Sequence, residues 1–350
     1  MAKSIVGLDI AGTSVRAVEV SDATKARPTI VRFAELPLPE GAVSRGEVIE
    51  QNTVAGALKK LWSLGRFRSK DVVLGMGNQR VLSRDLTVPK QPLAQIRESL
   101  PFQVQDMLPV PVVDAILDFY PTSEGASEAG SVVNGLLIAA VKDAVLANVQ
   151  AVQLAGLNPA GVDLIPFALN RVLVGRQNLR GTVTMIEIGA QTTSVVVTTD
   201  GIPKFVRLIP TGGEDVTKTL SARLEIPFEH AETVKRHLGI AGSPQTVDDS
   251  RAIAVTRETV NELLASLRNT INYFTSTHPS EQVSGIVLSG GGAHLPGFAA
   301  ALAEYARLPV MIGNAFENVA VARSISQQDV AQRGGSIAVA YGLAVGSKAA

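Results

Sequence analysis

Two stretches of this chain, roughly half its length apart, carry one pattern. IVGLDIAGTSVRAVEV (residues 5–20) runs a β-branched strand into an acid, turns through small and hydroxyl residues, and begins a second strand. VTMIEIGAQTTSVVVTTDG (residues 183–201) repeats this, with Glu187 in register with Asp9. Two such units predict two similar lobes facing each other. In Gly12-Thr13-Ser14 and in Gly189-Ala190-Gln191-Thr192-Thr193, successive backbone N–H groups at a tight turn form a concavity for an anion. The hydroxyls beside them add donors to phosphate oxygens. Asp9 and Glu187 cannot hold phosphate, but a carboxylate on each side suits Mg²⁺, which keeps most of its waters and binds through one or two carboxylates plus phosphates. The repeat therefore points to a cleft for a nucleotide triphosphate, with one phosphate-holding hairpin on each side.

At 350 residues the chain is long for a single core. Lys plus Arg equal Asp plus Glu at 32 each, so no basic excess points to nucleic acid or an anionic membrane. With no cysteine, disulfides, thiolate metal sites and thiol catalysis are excluded. No basic and apolar leader opens the chain, and the least charged stretch, residues 334–347, is too short to span a bilayer and reads as a buried helix. A cytoplasmic protein is expected.

Strands are expected at SIVGLDI, SVRAVEV and TIVRFAELPLP, then an amphipathic helix over 47–64 with Val54, Leu58 and Leu61 on one face. Trp62 should pack beneath that helix, and DVVLGMG is a buried strand. Residues 79–142 read as strand, helix (despite Pro101) and two strands, the last two separated by a polar, mobile loop at 123–131. A helix ends at Gly156, a C-cap. The second lobe starts near Gly181 with three strands, Asp200-Gly201 forming a hairpin turn. Helices follow at GGEDVTKTLSARLEI and at FEHAETVKRHLG, then a loop over 240–255. A long helix over 256–275 carries Val260, Leu264, Leu267, Ile271 and Phe274 on one stripe.

Beyond the two hairpins, Gly212-Gly213 follows a strand and allows close backbone approach to a ribose or phosphate. Gly290-Gly291-Gly292, directly after GIVLS, allows a ligand to lie flat against the backbone. Glu232 and Lys235 share a helix face and, on spacing alone, read as solvated charges. His230, His237, His278 and His294 are scattered, with no metal or triad spacing.

These elements resemble, in order, those of the actin-like ATPase superfamily: first phosphate loop (9–16), first connecting helix (about 155–173), second phosphate loop (187–194), adenosine loop (289–293) and a final connecting helix with Ala340 and Gly342. The insertion at about 80–152, HAETVKRHLG and GIVLSGGGAHLPGF resemble the FtsA and PilM branch. The end at GLAVGSKAA, without the linker and amphipathic helix of FtsA, is closer to the PilM family. The resemblance implies an α/β actin-like ATPase fold, two RNase H-like lobes around a nucleotide cleft with an FtsA-type inserted subdomain. The implied divisions are 1–80 and 153–180 (first lobe, 1A), 81–152 (inserted, 1C, SHS2-like), 181–212 and 283–330 (second lobe, 2A), 213–282 (2B), and 331–350 as a closing helix returning to the first lobe.

It also implies a type IV pilus assembly scaffold that binds ATP and Mg²⁺ and grips the N-terminal tail of a PilN-like inner-membrane protein, which recruits it to the membrane. Other pilus assembly components and self-association are further expectations. Carried over by position, Gly12, Thr13, Ser14, Gln191 and Thr192 would face the β/γ-phosphates, with Gln191 the group to position an attacking water. Glu232 and Lys235 match positions that hold ribose and adenine, and Gly213, Gly291 and Gly292 would line the nucleoside. Glu187 departs from the usual Asp; its extra methylene moves the carboxylate by about 1.5 Å. Misplacement by about 1 Å can cost 100-fold in rate, so slow or absent hydrolysis is expected. The alternatives are a small-molecule kinase of the same superfamily, for which no catalytic Asp is found in the first lobe, and an FtsA- or MreB-like filament protein.

Overall fold

The computed structural model describes residues 4–128 and 130–346. The opening β-branched runs form an antiparallel meander, β1 (Ser4–Ile10), β2 (Ser14–Ser21) and β3 (Thr29–Pro37). A two-stranded hairpin follows, β4 (Val43–Ser44) and β5 (Glu47–Val48). Its turn residues Arg45 and Gly46 have φ of 50° and 78°, the double positive φ of a type I′ turn. Helix α1 (Gln51–Gly65) therefore starts at Gln51 and not at residue 47, but Val54, Leu58 and Leu61 are buried as the spacing predicts. Trp62 is half-buried, and its indole N–H donates to the Ser69 carbonyl at 3.0 Å. Strand β6 (Asp71–Met76) runs parallel to β1.

The inserted unit comprises β7 (Val81–Pro89), α2 (Leu93–Gln103), β8 (Ala115–Ser127) and β9 (Gly130–Val141), with sheet order β7-β9-β8. It has its own core of Val88, Ile96, Leu100, Phe119 and Leu137. The loop expected at 123–131 is instead the end of a long hairpin, whose strands stay paired out to Ser127 and Gly130. The polarity of that stretch belongs to an exposed ribbon. Helix α3 (Lys142–Leu154) packs on α1 and β5, and Gly156 beyond it takes φ of 79°.

The connecting helix expected from about 155 begins ten residues later. Asn158-Pro159 favours extended backbone, and β10 (Asn158–Leu164) pairs parallel with β6. Only then does α4 (Ile165–Asn170) begin, with Pro166 in its first turn, and it runs on as a wide π turn over Arg171–Gly175.

The second lobe repeats the plan with β11 (Thr182–Ile188), β12 (Thr193–Thr199) and β13 (Ile202–Ile209). Asp200 and Gly201, at φ of 51° and 81°, make its type I′ turn. Helices α5 (Gly213–Leu224), α6 (Phe228–Leu238) and α7 (Val247–Thr277) follow. Half of the loop expected over 240–255 is α7. Thr246 accepts from the Asp249 N–H at 3.0 Å, and the Asp249 carboxylate accepts in return from the Thr246 N–H. This capping box starts the helix nine residues before the expected one. The chain ends through β14 (Val283–Ser289), α8 (Phe298–Ala306), β15 (Val310–Ile312), β16 (Ala320–Val321) and α9 (Gln327–Gly346). The closing helix is thus longer than expected at its front, and residue 347 lies outside the described residues.

Strand order is β10-β6-β1-β2-β3-β16 in the first lobe and β13-β12-β11-β14-β15 in the second. Apart from β16, the two sheets follow one path. Helix α9 returns to the first lobe and lies so close to β1 that a Cβ on Gly7 would overlap the Ala340 carbonyl oxygen. Further along α9, Gly342 meets the Ala168 carbonyl of α4 in the same way. Arg171 ties the pair, donating to the Gly342 carbonyl at 2.6 Å and to Asp163 at 2.9 Å. A G7A substitution should therefore destabilise the chain by about 1–3 kcal/mol or more, as overpacking against backbone does. The denaturant midpoint reads this directly, and an unchanged midpoint would mean that α9 is not seated on β1.

Candidate functional site

The ends of β1 and β11 open onto one cleft of about 890 Å³ between the lobes. Asp9, Gly12 and Thr13 line it from one side, and Glu187, Gly189, Gln191 and Thr192 from the other. Each turn is closed by an equivalent hydrogen bond, Ala11 N–H to Ser14 carbonyl at 3.0 Å and Gly189 N–H to Thr192 carbonyl at 2.9 Å. Ser14 is the one expected residue that does not line the cleft. Its hydroxyl donates to Glu35 on β3 at 3.3 Å, because the first residue of β2 already faces its neighbouring strand.

The two acids sit in different surroundings. In the β1–β2 register Asp9 is opposite Arg16, whereas in β11–β12 Glu187 is opposite Ser194. Arg16 bonds Asp9 at 3.2 Å and Glu35 at 2.8 Å, a three-membered charge network along the cleft floor. Burial pushes the Asp9 carboxyl up, and Arg16 only partly opposes it. Glu187 is pushed up to about 8, first by burial and then by the negative charge of Asp9; Arg16 and the Ser194 hydroxyl offset little of this.

Gln191 crosses from the second lobe toward the first. Its Oε1 accepts from the Arg45 N–H at 2.6 Å, and its Nε2 donates to Glu214 at 2.7 Å. The amide lies over Gly12, where a Cβ would stand 2.5 Å from it. A side chain at Gly12 would have to push this flexible amide aside. Gly212 is more tightly constrained, with the backbone carbonyl of Ala190 2.5 Å from any Cβ, and the Gly213 N–H donates to the Gly189 carbonyl at 2.9 Å.

Lys235 is buried, and its ammonium donates to the Gly213 carbonyl at 2.9 Å, Thr217 at 2.8 Å and Glu232 at 2.6 Å. The solvated-charge reading of this pair is therefore replaced by a fixed polar wall under Gly213. Burial works to raise the Glu232 carboxyl, but the hydrogen bonds from Lys235, Thr217 and Arg236 outweigh it and bring it down to about 2. Of the three glycines after β14, Gly290 takes φ of 87° against the Ile188 carbonyl, and Gly292 packs on the Ile188 side chain. Those two are demanded by packing on β11. Gly291 has no atom within 4 Å of a Cβ position and is the one left open to a ligand.

Sequence reasoning missed Arg16, Glu35, Arg45 and Glu214, and the apolar end of the cleft formed by Phe228, Val260, Leu263, Leu295 and Phe298. A positive charge two residues into the strand after the first phosphate turn was the available signal for Arg16. His294, which stands in no metal or triad spacing, also lines the cleft. Among the described residues no group of three His, Cys, Asp or Glu is placed to hold a metal. No described helix is long and apolar enough to cross a membrane.

Two matched lobes around such a cleft define the actin-like ATPase fold. MreB 5 of Spiroplasma citri bound to AMPPNP shares it, with a TM-score of 0.56 at 11% identity over 98% of this chain and 95% of that one. The chain belongs to the family described as type IV pilus assembly protein PilM, whose model matches residues 7–348. A solved PilM-PilN type IV pilus biogenesis complex superposes with a TM-score of 0.84 and 28% identity, covering 97% of each chain. FtsA of Bacillus subtilis is 24% identical over 335 residues, 83% of this chain and 74% of that protein. FtsA of Neisseria meningitidis is 26% identical over 186 residues, 47% of this chain and 44% of that protein. The family thus places the chain in type IV pilus assembly, with cell-division FtsA the more distant branch.

Glu187 sets a pH dependence. Unfolded, its carboxyl titrates near 4.5, and folded it does so at about 8. Between those values the native chain holds a proton that the unfolded chain has lost. Stability contributed by the neutral carboxyl is therefore complete below about 4.5 and is lost as pH rises through about 8. The slope is at most about 1.4 kcal/mol per pH unit. Thermal midpoints of the ligand-free protein from pH 5 to 9 should fall, and E187Q should flatten the fall. Equal slopes in both would remove Glu187 as the cause.

Proposed function

We propose that this chain is an ATP-binding scaffold that holds the N-terminal tail of a PilN-like inner-membrane protein, with slow or absent hydrolysis. The observation that carries the reading is convergence. Both phosphate turns, open Gly291 and the Lys235–Glu232 wall line one cleft with an apolar end suited to a nucleobase. The phosphates would lie on the backbone of the Gly12-Thr13 and Gly189–Thr192 turns, beside Gln191. The ribose would lie near Gly213, Glu232 and Lys235. Mg²⁺ fits the floor, because Glu187 is raised first by burial and then by Asp9, and a cation offsets both. Asp9 and Glu187 would hold it through its waters beside the phosphates, where it neutralises their charge.

The partner reading is supported by family membership and by likeness to the PilM-PilN complex. Recruitment to the inner face of the membrane would follow from that partner. A pull-down with short N-terminal peptides of neighbouring membrane proteins, with and without Mg-ATP, tests it; no capture in either state would sink the scaffold reading.

Calorimetry should show ATP binding that K235M weakens at least tenfold, because the change removes the buried ammonium that holds both Glu232 and the Gly213 carbonyl in place. Equal affinity in the variant would place the nucleoside elsewhere. Turnover should stay below roughly 1 per second, the low end for ordinary enzymes. E187D, which shortens the acid by one methylene, should raise it about tenfold or more; no gain would remove side-chain length as the cause of slow turnover.

A further inference from the structure

The β4–β5 hairpin belongs to the first lobe, yet its turn touches the second lobe at the mouth of the cleft. The Arg45 N–H donates to Gln191 Oε1 at 2.6 Å, and its Nη1 donates to the Pro210 carbonyl at 2.7 Å. Behind the turn, the same hairpin is fastened where the chain enters and leaves the inserted subdomain. On the exit side stands Asn148 of α3, the helix that continues directly from β9. Its buried side chain accepts from the Val48 N–H at 3.1 Å and donates to the Gly46 carbonyl at 3.4 Å. On the entry side Arg80, just before β7, donates to Glu47 at 3.3 Å. Asn78 Nδ2 is buried beside Gly46 and has no protein acceptor among the described residues.

We infer that the β4–β5 hairpin is the element through which the cleft and the inserted subdomain bias each other, with Arg45 a positioning residue that acts through Gln191. The nature of the ligand rests on the proposed ATP reading; the mechanical link does not.

The Gln191 amide lies over Gly12, on the face of the first turn where a terminal phosphate would rest. A phosphate there displaces the amide and frees the Arg45 N–H. Arg45 then has an anion to follow, and guanidinium–phosphate bonds, ionised on both sides, are stronger than the backbone bond to Gln191 and the guanidinium–carbonyl bond to Pro210. Any shift of the turn acts on Asn148 and Arg80 together, because Gly46, Glu47 and Val48 are bonded to them. Coupling between sites needs an element with two discrete arrangements. The unspent Asn78 donor beside the turn offers a displaced hairpin a hydrogen bond in its second position.

The test is hydrogen exchange on the full chain, comparing wild type, R45G, N148A and R45G/N148A. Glycine suits the φ of 50° at residue 45, so R45G removes the side chain without backbone strain. Without ligand, N148A should speed exchange at 189–193 in the opposite lobe by about threefold or more in the wild-type background, and by clearly less in R45G, which loses the bond to the Pro210 carbonyl but keeps the backbone N–H to Gln191. An N148A effect that is absent, or equal in both backgrounds, overturns the inference. If N148A loosens the whole chain, seen as faster exchange in the β11–β12 core, R80A on the exposed side gives the same comparison with a milder change. A second arm adds Mg-ATP at concentrations that saturate each variant. In wild type, exchange should then change at 81–85 and 142–148 as well as at 290–292, and R45G should lose the distant part alone. Protection at 290–292 with no distant change in wild type overturns the inference. No protection at 290–292 removes the ATP reading, and the ligand-free comparison still decides the link.

Discussion

The cleft depends on a contact that involves no functional side chain. Gly7 of β1 lies against the backbone of α9 at Ala340, and Gly342 lies against α4 at Ala168. Helices this close leave no slack, and Arg171 adds hydrogen bonds to both Gly342 and Asp163 at the crossing. Strand β1 ends in the Asp9 turn, α4 leads from the first lobe into the second, and α9 returns beneath both. A buried cluster that includes Val18, Leu169, Met185, Val196 and Tyr341 runs across this crossing, so the lobes share a core under the cleft. Positions at the cleft mouth are therefore set by packing at its base.

With the geometry shared, the difference between the two hairpins is electrostatic. One register position decides it: a guanidinium faces Asp9 and a hydroxyl faces Glu187. The guanidinium partly offsets burial at Asp9 and reaches Glu187 far less, so Glu187 bears burial and the repulsion of Asp9 together. Before any ligand enters, the first turn carries a charge pair and the second a carboxyl that prefers its proton below pH 8. A site so arranged favours a ligand that arrives with its own cation.

The repeated hairpins were legible because β-branched runs, acids and glycine turns are local signals. Gly212 is required for a reason the sequence does not carry, since the atom it makes room for is the Ala190 carbonyl. The three glycines at 290–292 looked alike as letters, yet packing on Ile188 accounts for two and leaves Gly291 for a ligand. Arg16 and Arg45 were missed because their roles come from strand register and from a contact between lobes. The front of α7 was missed for a different reason. Its capping box at Thr246 and Asp249 was present in the sequence, but the apolar stripe strengthens only near Val260 and drew the boundary with it. Strand β10 was absorbed into the connecting helix because that helix was placed by resemblance from about residue 155, without weighing the extended bias that Pro159 puts on Asn158.

The Arg45–Gln191 bond has a thermodynamic consequence for any switch built on this cleft. It joins the lobes directly, so it adds to whatever holds the cleft closed. A ligand shifts an equilibrium only by its differential affinity for the two states. If the closed state is already the major one, little of the binding energy can appear as lobe movement, whatever the affinity. A signal from the cleft must then come from a smaller element whose bonds the ligand exchanges rather than adds to. Gln191 is placed for such an exchange, because its amide already spends one end on Arg45 and the other on Glu214.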